Sequence, residues 1–407
     1  MWSFDATDTL FMVFSTVLVM LMTPGLALFY GGLVGEKDEV AIMMQSFVAL
    51  GVSTLLWVVV GYSLVFSGNV DGVIGNLNQA FLLNASSNTP SPVSSSIPLY
   101  VFFAYQMMVV IITPPLITGA FTNRVRFGPY LLFLVLWQLF VYFPIAHMVW
   151  GGGLLQSWGV LDFGGGLVVH TLAGMSALAS VAYLGSRYVF DKPHNLHMVA
   201  IGMAILWFGW FGFNAGNADG MNAIAVLAFL NTALAGGVAS VVWMLMDWGF
   251  EGKPKLVGFL TGGLAGLVVV TPAAGYVAPS AAVILGMAAG IVCYLAIRFK
   301  NSRHWDDALD VWGVHGIGGM LGVILLGVLA TTAVNPQGAN GLLAGGSSFF
   351  AKEVMATVFV AVFAFVATYI ILFVIGKTTD LRTTKEVQIS GLDLALHGEA
   401  AYGELPH

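Results

Sequence analysis

The chain has 407 residues, of which 58% are hydrophobic and only 8% charged, and its mean hydropathy is +0.90. Soluble domains carry about 25% charged residues, so the polar side chains here are too few to cover a water-soluble globule and the chain's solvent is lipid. The formal net charge of −6 says little about partners and gives no footing for nucleic-acid binding.

Crossing the hydrocarbon takes about 20 apolar residues in a helix that satisfies its own backbone. Taken in chain order, such runs lie at 9 to 33, 41 to 67, 98 to 121, 129 to 148, 166 to 185, 197 to 214, 222 to 245, 256 to 275, 280 to 298, 309 to 333 and 349 to 376. The expected class is therefore an all-α integral membrane protein with eleven transmembrane helices. No basic residue precedes the first run, so a signal peptide is not expected. The segment from 68 to 97 is rich in Ser, Asn and Pro and reads as loop; its sequon at Asn84 carries no functional weight. Two adjacent prolines, Pro114 and Pro115, are expected to interrupt and kink the third span. Cys293, the single cysteine, excludes an intramolecular disulfide and reads as a small buried hydrophobe in the ninth span.

Charge placement tests the count. With the loops taken alternately, Lys37, Arg124, Arg126, Arg187, Lys192, Lys253, Lys255, Arg298, Lys300 and Arg303 fall on one side, joined by Lys377, Arg382 and Lys385 of the tail. Only Lys352 falls on the other. By the positive-inside rule the C-terminus is cytoplasmic and, with an odd number of spans, the N-terminus is outside.

An imidazole near mid-bilayer should face the bundle interior and find a polar partner. His315 lies in "VHGIGGM", residues 314 to 320, and the same pattern recurs as "VHTLAGM" at 169 to 175 around His170. Both fit V-H-x-x-x-G-M. One copy sits on the fifth span and the other on the tenth, and an odd offset reverses direction across the membrane, as in an inverted 5+5 repeat. Transporters built this way place their site near the midplane, where the halves meet. Facing neutral imidazoles can share one hydrogen bond and still offer polar atoms to a small guest. The plainer reading is two buried histidines bonded to backbone carbonyls.

Two facing histidines are also what a haem needs. The helices that carry them hold Gly174, Gly313, Gly316, Gly318, Gly319 and Gly322, which bring backbones close and leave little room for a macrocycle. No third or fourth ligand accompanies either histidine, so neither metal nor cofactor is expected. The glycine triplets at 151 to 153 and 164 to 166 lack the strand and helix context of a phosphate loop.

The stretches "TPGLALFYGGLV" (23 to 34), "PIAHMVWGGGLL" (144 to 155), "GVLDFGGGLVVH" (159 to 170), "GWFGFNAG" (209 to 216), "GLVVVTPAAGYV" (266 to 277), "DVWGVHGIGG" (310 to 319) and "GLDLALHGEAAY" (391 to 402) resemble the motifs of the Amt/Mep/Rh ammonium transporter family, on its Amt branch. The resemblance runs in order from about residue 10 to 402. It implies an eleven-helix protomer, a homotrimer with one pore per protomer, a twin-histidine pore at His170 and His315, and a protein that is not an enzyme. It also implies a cell (inner/cytoplasmic) membrane location and, as cytoplasmic partner, a PII-type regulatory protein or a fused signalling domain.

Trp150 matches the family's recruiting tryptophan, whose face holds a cation at about 0.5 to 2 kcal/mol; position alone would make it an interfacial belt residue. Asp162 matches an aspartate near the start of the fifth span and is expected to cap that helix rather than ligate the cation. Asp310 is expected to be a cap or a tether for the cytoplasmic tail. Trp210 is expected to be a supporting residue of the site. Where family members stack two phenylalanines as a gate, Phe213 supplies one and Val109 stands at the other position. The recruitment position that commonly holds a hydroxyl is Asn217, whose amide oxygen can accept from ammonium.

The transmembrane domain is expected over residues 1 to 376, with repeats at about 9 to 185 and 197 to 333 plus a last helix at 349 to 376; the cytoplasmic tail spans 377 to 407. Two functions stay open. One is a transporter in which ammonium is recruited outside and deprotonated in a dry passage, the proton either returning outside or following by a histidine relay. The other is an ammonium sensor of the same fold that signals to a cytoplasmic output domain.

Overall fold

The computed structural model describes residues 4–403; residues 1–3 and 404–407, the ends of the two expected segments, lie outside the described residues. In lipid every backbone N–H and C=O has to be satisfied within the protein, and helix does this locally. Accordingly, the described residues form helices throughout, with no strand beyond three isolated bridges.

Among the described residues ten helices are long and apolar enough to cross a bilayer: Ala6–Leu33, Glu36–Phe66, Leu99–Ala120, Phe127–Trp158, Gly166–Leu184, Leu196–Ala218, Ala223–Glu251, Pro279–Ser302, Trp312–Leu329 and Ser347–Thr378. An eleventh apolar helix, Leu256–Val270, falls at the eighth run but ends five residues earlier than the sequence suggests. Pro272 lacks the donor that would continue it. The carbonyls freed by this ending accept instead from the loop before the fifth span, with Phe163 N–H on Pro272 O and Gly164 N–H on Thr271 O, both at 3.1 Å.

The prolines of the third span do not interrupt it. The helix runs through Pro114 and Pro115 to Ile117 and closes in a 3-10 turn at Thr118–Ala120. Proline's fixed φ is itself helical, so the chain continues through both rings.

Close packing comes from small residues where spans cross. A Cβ added at Gly202 of the sixth span would overlap Phe29 of the first, and one added at Gly174 of the fifth would overlap the backbone of Gly316 of the tenth. The second contact brings the two histidine-bearing helices together and leaves no width between them for a macrocycle. Cys293 is fully buried.

The tail folds back onto the helix ends. Asp393 accepts from the N–H groups of Val40 and Ala41 at 3.0 and 2.8 Å, and Asp38 accepts from Leu392 N–H at 2.8 Å. Arg126 N–H bonds to Leu381 O and Thr383 N–H to Arg124 O. Beneath lies a buried ionic cluster in which Asp306 pairs with Arg124 at 3.3 Å and Arg187 at 2.8 Å. Burial alone would raise the Asp306 carboxyl; hydrogen bonds from Arg187 and the Arg124 charge hold it below the usual carboxylate range.

Candidate functional site: a twin-histidine constriction between two cavities

His170 and His315 each sit on a π-helical turn, Gly166–Thr171 and Trp312–Ile317, that leads into an α-helix. Such wide turns recur at functional positions because they displace side chains from the regular helical register. The two imidazoles meet with Nδ1 to Nδ1 at 3.2 Å, within hydrogen-bond reach. Sharing one proton between Nδ1 atoms fixes opposite tautomers. The donating ring then has a bare Nε2 and the accepting ring carries N–H there, so the pair presents one acceptor and one donor. Nε2 of His170 is buried and has no hydrogen-bond partner in the protein.

Trp210 stacks on His170, with centroids 5.4 Å apart and planes 16° from parallel, and is itself fixed by its indole N–H on Thr271 Oγ1 at 2.9 Å. Phe213 packs edge-on against Trp210 and lies 6.3 Å from the His170 ring. Together with Leu26, Ile112 and Leu206 these rings line a narrow apolar cavity of about 10 Å³ that presents carbon except at the histidines. Val109 is buried, and no second ring stands at its position.

Above the constriction is a wide cavity of about 910 Å³, lined by Trp150, Gln106, Asp162, Asn217, Asp219 and Tyr276 among others. Asn217 is oriented by donating from Nδ2 to Phe213 O at 2.7 Å and to Tyr105 Oη at 3.1 Å, while Tyr105 donates to Phe213 O at 2.5 Å. Both Nδ2 hydrogens are used, which leaves Oδ1 as the free acceptor of the amide.

Asp162 is a scaffold residue in this geometry. Its Oδ1 accepts from Gly165 and Gly166 at 2.8 and 2.6 Å, and its Oδ2 from Leu167 and Val168 at 2.7 and 3.2 Å, so four orphan donors at the start of the fifth span end on one carboxylate. Its backbone O accepts the Trp150 indole N–H at 2.8 Å. The cap therefore also holds the tryptophan in the wall of the cavity.

Below the histidines lies a third cavity of about 200 Å³, reaching His315 and lined by Tyr30, Arg187, Asp191 and Asp310. Asp310 neither caps the tenth span nor touches the tail. Its carboxylate pairs with Lys300 at 2.5 Å, and the left-handed backbone at Asp310 (φ 59°) turns it away from the helix start. The cap is Asp307, whose Oδ2 accepts from Trp312 N–H at 2.7 Å.

Asp307 stands eight residues before His315, as Asp162 stands eight before His170. The sequence pattern V-H-x-x-x-G-M stops short of this match; extending the comparison toward the N-terminus would have found it. Glu353 is a second omission. It is fully buried in the last span, accepts from Leu161 N–H at 2.7 Å through Oε1, and so fastens the loop that carries Asp162. The signal was an acidic residue inside an apolar run. Tyr105 gave none, since one aromatic in an apolar helix looks like any other.

The model of the Ammonium Transporter Family matches residues 10–402. The chain is 44% identical over 399 residues to an ammonium transporter of Bacillus subtilis, covering 97% of this chain and 98% of that one. Its fold is similar to the crystal structure of Candida albicans Mep2, with a TM-score of 0.89 and 35% identity over 94% of this chain and 87% of that one. It is also similar to a structure described as a sensor Amt protein, with a TM-score of 0.88 and 25% identity over 96% of this chain and 98% of that one.

Proposed function

The chain belongs to the ammonium transporter family, and from that premise we propose that it conducts ammonium across the cell membrane through the constriction between His170 and His315. The observation that carries the proposal is a narrow, carbon-lined, histidine-paired neck with a wide cavity above it and a smaller one below. Ammonium is nearly the size of potassium, so width alone sorts them poorly; ammonium alone donates directional hydrogen bonds and can surrender a proton.

In the upper cavity the cation meets the face of Trp150 and the free Oδ1 of Asn217, and Phe213 closes the floor. A carbon-lined neck gives a full charge no counter-ligands, so the cation sheds its proton before entering, the proton either returning to the outer solution or following by way of the histidines, and ammonia passes along the histidines. Nε2 of His170 supplies the polar contact that a neutral, hydrogen-bonding guest needs there. Asp162 acts through Trp150 and the fifth span; four N–H groups saturate its carboxylate.

The charge distribution supports an N-terminus outside, a cytoplasmic tail, and an inverted 5+5 repeat over about 9 to 185 and 197 to 333. Asp162 and Asp307, each eight residues before its histidine, support the repeat further. Homotrimeric assembly and a PII-type cytoplasmic partner follow the family reading. A second reading, an ammonium receptor in the same membrane, is favoured by one feature: Val109 leaves the neck with a single gating ring, so a cation can settle deeper and be held.

Ammonium uptake into proteoliposomes tests the proposal. The native chain is expected to give saturable uptake that falls at least about tenfold in His170→Ala and in His315→Ala, each of which leaves the other imidazole buried without its partner at about 1 to 3 kcal/mol. Native uptake matched by both folded variants would remove the histidines from the pathway.

A further inference from the structure

Asp219 follows the end of the sixth span and lines the upper cavity with Trp150 and Asn217. It takes no part in the scaffold described above. Asp162 is saturated by backbone donors, and Asp8, the other carboxylate of the same wall, accepts from Met221 N–H at 2.8 Å. The Asp219 carboxylate has neither a hydrogen-bond donor nor a cation within reach among the described residues. A half-buried carboxylate without a partner is costly to keep in a folded protein. Here it stands in a cavity whose proposed guest is a cation.

We infer that Asp219 is a cation-attracting binding residue of the upper cavity, a free carboxylate whose negative charge draws ammonium to Trp150 and Asn217. The inference rests on reading that cavity as the ammonium entrance. Placement supports it in two ways. Asp219 lies two residues from Asn217 and within electrostatic reach of Tyr105, the residue that orients the Asn217 amide, and of Tyr276 on the facing wall. The groups facing it are the carboxylates of Asp8 and Asp162 and the phenols of Tyr276 and, behind Asn217, Tyr105, so among the described residues no basic side chain lines the cavity.

Burial pushes the Asp219 carboxyl up to about 7. The sign of the effect follows: above that pH the group is ionised and attracts the cation, and as pH falls through it the attraction is lost. Ammonium affinity is therefore expected to rise with pH, once the fraction of ammonia in solution is corrected for. Asp219→Asn removes the charge and keeps the backbone, because Asn tolerates the left-handed conformation found there (φ 52°) as well as Asp does.

The experiment uses the full purified chain with ammonium chloride. Binding isotherms in detergent and uptake in proteoliposomes are recorded at about pH 6 and about pH 8, on either side of the titration, for the native chain, Asp219→Asn and Asp71→Asn. Asp71 is an exposed carboxylate of the outer loop and reports the general surface field. The native chain is expected to bind about fivefold more tightly at the higher pH, the size of effect for unit charges about 4 Å apart in water-like surroundings. Asp219→Asn should show the low-pH affinity throughout with an unchanged saturating rate, and Asp71→Asn should behave as native. The inference falls if Asp219→Asn keeps the native pH dependence, if it weakens binding equally at both pH values, or if Asp71→Asn shifts affinity as much. Binding without uptake would overturn the transport proposal while the isotherms still judge Asp219. A native chain that neither binds nor takes up ammonium would overturn both.

Discussion

Asp162 shows how one residue serves two purposes at once. A helix that begins inside a membrane protein exposes N–H groups that water cannot reach, and each costs free energy if left unpaired. One carboxylate collects four of them, and its own carbonyl fixes the Trp150 indole. Asp162→Ala should therefore lower stability by about 3 kcal/mol or more, at the severe end for a point variant. Thermal unfolding in detergent measures this, with Asp162→Asn intermediate because an amide supplies one acceptor oxygen in place of two. An alanine variant that keeps the native midpoint and still loses ammonium affinity would mean that the carboxylate ligates the cation after all.

At the scale of the helices, hydropathy is a direct consequence of the lipid solvent, which is why most spans could be read from the sequence to within a few residues, although the fourth and seventh run on to Trp158 and Glu251, past the expected 148 and 245. The eighth was misjudged because Pro272 sits in an apolar run that continues past it, and hydropathy does not register a missing donor. The third differs in the opposite sense, since proline's fixed φ is compatible with helix and the span continues through both rings. The pairing of His170 with His315 was legible as a repeated motif. The width of the neck was not, because it depends on which glycines touch which backbone. Gly174 and Gly237 make the point: at Gly174 a Cβ would overlap Gly316, whereas Gly237 has nothing within 4 Å. Gly174→Ala is expected to cost about 1 to 3 kcal/mol of overpacking and to force the histidine-bearing spans apart, cutting uptake. Gly237→Ala should be neutral or gain up to about 1 kcal/mol from helix propensity. Equal thermal midpoints and uptake for the two variants would show that the fifth and tenth spans are not held by this contact.

For the whole molecule, the question is whether the neck passes its guest or keeps it. Release demands that no position along the path bind so well that the ion stays. On the proposed reading the upper cavity attracts the cation through Trp150 and Asn217, and the neck below it carries one of the two expected phenylalanines, Phe213, with buried Val109 at the position of the other. A missing ring acts in two directions. It removes a barrier to entry, which favours flow, and it removes the wall that keeps a cation high in the cavity, which favours retention near the histidines. Val109→Phe separates them. The native chain is expected to carry saturable ammonium current in proteoliposomes, and the variant, with a second ring closing the floor, should carry about tenfold less at unchanged equilibrium affinity. Reduced current at unchanged affinity would identify Val109 as an open gate in a transporter. Negligible native current with tight ammonium binding, converted in Val109→Phe to weaker binding and measurable current, would make the native chain a receptor whose pore is blocked by its own ligand.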